Sequence, residues 1–200
     1  MSRNPERSAR DDVFVAEVLS SFGFLISDYG FRCVTATPTH VRYESKHVFV
    51  NVYRDPVSFE IEVEIGRRHL IRAAERGFTL GEIMDSLSAR EKEGYTFIQA
   101  STSERVRKFV PIMAEWTKRY ASETLSGSRS SFLRALVSRE RRADHEWEQM
   151  ELSTVRARAD RAWHRKDYRQ IVELYSAVAP GDLTASEVKK LEYAKKRLGG

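Results

Sequence analysis

Three glutamates on alternate residues, Glu60, Glu62 and Glu64, are the sharpest chemical feature of this 200-residue sequence. On an extended strand such a row sets its carboxylates about 7 Å apart. That is close to the spacing of phosphates in a nucleic acid, so the row could offer a phosphate-like surface to a basic partner protein. It could equally be the solvated face of a sheet, kept charged against edge-to-edge aggregation. Asp55 followed by Glu60-Ile61-Glu62 has part of the carboxylate pattern of a metal nuclease. Glu62 stands where that chemistry needs a lysine to stabilise the scissile phosphate, which leaves only a pair of possible cation ligands. Among His40, His47, His69, His145 and His164 no pair has the i, i+4 spacing of a helical zinc site, and there is no Cys-x-x-Cys. The one cysteine, Cys33, follows Arg32 and precedes Val34 in an expected strand and reads as a buried, inert thiol. Neither a glycine-rich phosphate loop nor a Gly-x-Ser-x-Gly elbow occurs. The sequence therefore assigns no catalytic residue, no cofactor site and no metal site.

The basic residues make the second candidate. Residues 1–100 hold 13 Lys/Arg against 15 Asp/Glu, net −2, and residues 101–200 hold 21 against 14, net +7. The basic excess thus lies in the second half. Arg158, Arg161 and Arg165 recur at i, i+3 and i+7, one stripe of a helix that could track phosphates. Glu140, Asp144, Glu146, Glu148, Glu151 and Asp160 interleave with the basic residues, the pattern of ion pairs on an exposed helix. No aromatic stacking platform is evident beside these arginines.

The elements that must position these groups are legible from periodicity. Val15, Leu19, Phe22 and Ile26 predict an N-terminal helix to about Asp28, with Ser8, Asp11 and Asp12 as capping groups and Gly30 as its stop. Strands are expected over 31–37, 40–45, 46–54 and 57–66, joined by short antiparallel connections. In the last of them Phe59, Ile61, Val63 and Ile65 face one way and the glutamates the other, which makes the glutamates exposed and the apolar set buried. Phe78-Thr79-Leu80-Gly81-Glu82-Ile83 has capping-box and staple spacing at the start of a helix running to about Ala89. Residues 101–120 keep a helical period that Pro111 should kink or split. The small, polar stretch 122–131 reads as a linker. Beyond it the chain is helical, with Thr184 and Glu187 as a second capping box. Trp163 is expected to be buried against Tyr168, Ile171, Val172 and Leu191.

The expected fold is α+β: an N-terminal helix on an antiparallel sheet of about four strands (1–121), the linker 122–131, and a helical region 132–200. Within that region Arg161-Ala162-Trp163-His164-Arg165-Lys166-Asp167-Tyr168, followed by Arg169-Gln170-Ile171-Val172-Glu173-Leu174-Tyr175, resembles a single tetratricopeptide-type hairpin. No second copy occurs at a period of about 34 residues. More loosely, Tyr29-Gly30-Phe31, Val41-Arg42-Tyr43-Glu44-Ser45, Phe59-Glu60-Ile61-Glu62-Val63 and the tail from Tyr168 to Arg197 resemble small bacterial immunity-type proteins associated with toxins. That resemblance implies a fold and a place beside toxin genes, with no catalytic residues to carry over. With a charged sheet face and a repeat-like hairpin as interaction surfaces, the expected function is that of a non-catalytic, immunity-type or accessory protein that binds and neutralises a partner protein, through Glu60, Glu62 and Glu64. The alternative is nucleic-acid binding through Arg158, Arg161 and Arg165. The N-terminal Met-Ser-Arg-Asn-Pro-Glu-Arg lacks the apolar run of a secretory signal, and no apolar stretch approaches the roughly 18 residues of a membrane span. The expectation is a cytoplasmic protein without a membrane partner.

Overall fold

A computed structural model of the chain describes residues 5–69 and 75–199, with side chains from residue 13 onward. It divides into two compact units after Arg139. The first is α+β. Helices α1 (Pro5–Ser21) and α2 (Phe24–Tyr29) precede strands β1 (Arg32–Thr37), β2 (His40–Glu44), β3 (Val48–Arg54) and β4 (Glu60–Arg67). Then come β5 (Gly77–Thr79), α3 (Leu80–Ser86), β6 (Ile98–Gln99), α4 (Ser103–Tyr120) and α5 (Ser122–Leu125). Every strand pairing is antiparallel, in the order β1-β2-β3-β4-β5, with β6 also on β4. The four expected strands are thus joined by two short ones, which at three and two residues carry no readable alternation.

One face of the sheet carries Val41, Tyr43, Val50, Val52, Ile61, Val63 and Ile65, all buried. It shares a core with Phe14 and Val18 of α1, Phe22 just after it, and Val106, Val110 and Met113 of α4, and the Tyr43 hydroxyl donates to the Val18 carbonyl at 3.3 Å. The buried face of the N-terminal helices is therefore Phe14, Val18, Phe22 and Leu25, whereas Leu19 and Ile26 are exposed. This corrects the expected face, Val15, Leu19, Phe22 and Ile26: two apolar stripes one residue apart have the same period, and the sheet selects the one with the larger rings. The helix also breaks between Ser21 and Phe24, at Gly23, before Gly30 ends it in a left-handed conformation (φ 67°). Ser8, Asp11 and Asp12 as caps fall outside the described side chains; α1 already runs from Pro5.

Pro111 does not split its helix. It sits on the exposed side of a continuous α4, so the carbonyl it leaves without a donor faces water. Phe59 departs from the strand face assigned to it: with φ 59° it closes the turn from Asp55 to Glu60, its N–H donating to the Asp55 carbonyl. In the stretch 122–131, Thr124, Leu125 and Ser131 are buried and Phe132 and Ala135 belong to the first core. A composition poor in apolar residues concealed how completely its few are used.

The second unit holds most of the 36-residue helix α6 (Arg129–His164), which starts in the first unit, together with α7 (Tyr168–Ser176) and α8 (Ala185–Leu198). Ala159, Ala162, Ile171, Leu174, Tyr175 and Ala194 form its own small core. The Thr184–Glu187 capping box starts α8, as the Thr79–Glu82 box starts α3. No described helix is long and apolar enough to cross a membrane.

Candidate functional site

The two expected sites fare differently. Glu60, Glu62 and Glu64 do alternate with buried Ile61, Val63 and Ile65, so the register is as expected. Yet all three glutamates are half-buried, and the carboxylates of Glu62 and Glu64 are held within the fold, which corrects the expectation of an open acidic row. The cause is the ladder opposite them. Antiparallel pairing sets Arg42, Asn51 and Glu64 in one line across β2, β3 and β4, and His40, Tyr53 and Glu62 in the next. Asn51 Nδ2 donates to Glu64 Oε2 at 2.7 Å, and the Gly77 N–H donates to Glu64 Oε1 at 3.1 Å. The Tyr95 hydroxyl donates to Glu62 Oε1 at 3.1 Å. Burial pushes the Glu62 carboxyl up from its ordinary value, against hydrogen bonds from Val63, Tyr95 and Leu80. Burial, with the neighbouring Glu62, Glu64, Glu82 and Glu60, pushes the Tyr53 phenol up to about 12.

Beside this row lies a buried ion-pair network. Arg42 Nε meets Glu44 Oε1 at 2.8 Å, Arg42 Nη2 meets Glu75 Oε2 at 2.6 Å, and Arg68 Nη2 meets Glu44 Oε2 at 3.2 Å. The Arg42 guanidinium also lies over the Phe49 ring at 4.4 Å. Such a network fixes strand register by leaving no room for a charge without its partner. Among the described residues, no group of three His, Cys, Asp or Glu side chains is placed to hold a metal ion. Cys33 is exposed on the edge strand β1, not buried; a register shift between Cys33 and Thr35 turns its sulfur outward, where it donates to the Thr35 carbonyl at 3.4 Å.

In the second unit Arg158 and Arg161 are exposed along α6 and Arg165 just after it, and Arg165 donates to Gln170 Oε1 at 3.1 Å. Arg156 is engaged in an ion pair: it meets Glu187 Oε1 at 2.8 Å and donates to the Asp182 carbonyl. Of the residues that do converge, Trp163 and Tyr168 were assigned to the core by periodicity, and Tyr193 lies off the apolar stripe of its helix. Trp163, Tyr168 and Tyr193 form a triangle of edge-to-face rings, with centroids 6.3, 5.6 and 5.8 Å apart. Trp163 is accordingly only half-buried: one side packs on the small core and the other lines a groove of about 490 Å³ with Tyr168, Tyr193, Ser186, Lys166, Lys189 and Lys190. Helix spacing makes this happen, because Lys189 and Tyr193 are four residues apart on α8 and so share a face.

The groove is electropositive. Lys190 Nζ meets Asp160 Oδ1 at 2.8 Å and lies 5.7 Å from the Trp163 ring centroid. Arg197 Nε donates to the Tyr193 hydroxyl at 2.9 Å, which with the nearby Lys166 holds that phenol below the ordinary tyrosine value. Lys166 and Lys189 are exposed and make no ion pair with a described carboxylate. The sequence held one signal of this arrangement, the aromatic and lysine residues between Trp163 and Tyr193, but the assignment of Trp163 and Tyr168 to a core hid it. Comparison with protein-family models, curated proteins and solved structures finds no match to this chain.

Proposed function

We propose that this chain is a non-catalytic protein-binding protein and that it engages an acidic partner protein through the C-terminal hairpin groove. The observation that carries this reading is the convergence of three aromatic rings with Lys166 and Lys189, from the α6–α7 turn and α8, on one open concavity. Aromatic rings bring large contact area at small entropic cost, and cations without internal partners favour carboxylates on the other side. The resemblance to toxin-associated immunity-type proteins supports the finer version, a partner that is bound and neutralised. Glu62 and Glu64 are then register-fixing groups of the sheet, their carboxylates spent on internal hydrogen bonds, and Glu60 is the half-buried start of the same strand.

Nucleic-acid binding is the second reading, and the arginine stripe favours it. On α6, however, Trp163 lies roughly 140–160° around the helix from Arg158 and Arg161, so rings and arginines do not share one track. Co-purification from the native host tests the choice. The expected result is an acidic protein recovered with the wild-type chain and lost with Lys166→Glu/Lys189→Glu. Recovery of nucleic acid sensitive to Arg158, Arg161 and Arg165 overturns it.

A further inference from the structure

Building on the partner-protein reading, we infer that the hairpin groove recognises a linear acidic segment bearing an aromatic side chain, with acids flanking the ring. Two features of the groove set this pattern. Its floor is the Trp163–Tyr168–Tyr193 triangle, three rings in edge-to-face contact that line an open groove, where one further ring would extend the cluster in the same geometry. Its uncompensated cations come from two elements, Lys166 from the turn between α6 and α7 and Lys189 from α8. Carboxylates on either side of the ligand ring would meet them.

The backbone at Lys166 makes the case independently of charge. Lys166 has φ 59° and closes helix α6, its N–H donating to the Trp163 carbonyl at 3.0 Å while the Asp167 N–H donates to the Ala162 carbonyl at 2.9 Å. That is a left-handed helix stop, where glycine is the favoured residue and a lysine is strained. That turn sets the Lys166 side chain at the lip of the aromatic groove. A single-stranded nucleic acid fits less well, because base stacking needs open ring faces. Here Lys190 lies over Trp163 and Arg197 over Tyr193.

The test uses the full-length chain and fluorescein-labelled heptapeptides in fluorescence anisotropy at low and physiological salt. Six glutamates around a central phenylalanine should bind, about tenfold tighter than seven glutamates, and six lysines around phenylalanine should not bind. Lys166→Gly relieves the strained backbone and so keeps the fold, with an equal or higher thermal midpoint, yet should weaken binding about tenfold. Lys189→Glu should abolish it. Equal binding of the all-glutamate peptide, or no binding of any peptide, overturns the acid–aromatic pattern. If a partner protein is still captured through Lys166 and Lys189 in that case, the partner-protein reading survives. Tighter binding of oligo-dT than of the acidic peptide overturns both.

Discussion

At the scale of single residues, the glutamate row shows how alternation reports which way a side chain points but not what lies opposite it. Glu62 is placed by strict period two, whereas its contact with Tyr95 spans 33 residues of sequence and has no local signal. The consequence is a stability effect with a definite sign. Because burial raises the Glu62 carboxyl, the folded chain holds that proton more tightly than the unfolded chain. The destabilisation from Glu62 is therefore absent below its unfolded value and grows as pH rises through its folded value. Glu62→Gln should flatten the fall in thermal midpoint from about pH 4.5 upward, while Glu62→Lys, which sets an ammonium among Tyr95, Val63 and Leu80, should cost about 1–3 kcal/mol at pH 7. Equal midpoints for all three forms across pH would refute the buried placement. A second residue-scale expectation concerns Tyr193: its phenol should ionise below the ordinary tyrosine value in a carbon-13 NMR titration, and Arg197→Ala should move it back up.

At the scale of elements, what was legible is what local spacing determines. The four main strands, both capping boxes and the C-terminal helices follow from turn residues, period two and period 3.6. The face of α1 was not legible, because Phe14/Val18 and Val15/Leu19 have identical periodicity and only the sheet distinguishes them. β5 and β6 were illegible because they exist as additions to β4. The groove was missed because large rings at helical spacing serve a core and a binding face equally well. Element-level energetics follow from the contacts. A Cβ at position 66 would lie 2.4 Å from Phe49 Cζ and 2.8 Å from the Arg76 carbonyl oxygen, so Gly66→Ala should destabilise by about 1–3 kcal/mol in chemical denaturation, through overpacking beside a ring that is itself buried. Thr184→Ala should cost about 1 kcal/mol as a lost cap of α8. Trp163→Ala should cost about 2 kcal/mol, below the roughly 3–5 of a fully buried ring, because half of its surface already faces the groove.

At the scale of the whole molecule, the two units carry separate apolar clusters, one of sheet and helices and one of three alanines with Ile171, Leu174 and Tyr175 between α6, α7 and α8. Hydrogen exchange should register that separation: Trp163→Ala should speed exchange of amides in α7 and α8 and leave those of β2, β3 and β4 unchanged. Loss of protection in the sheet would mean one cooperative core. A practical property follows from the edge strand. Because the chain's one cysteine stands outward at the irregularity of β1, each molecule offers a single reachable sulfhydryl, remote in sequence from the lysine-lined hairpin. A maleimide dye should therefore couple at one mole per mole without denaturant, giving a homogeneous fluorescent reagent, and storage without reductant should yield a covalent pair of chains visible on a non-reducing gel.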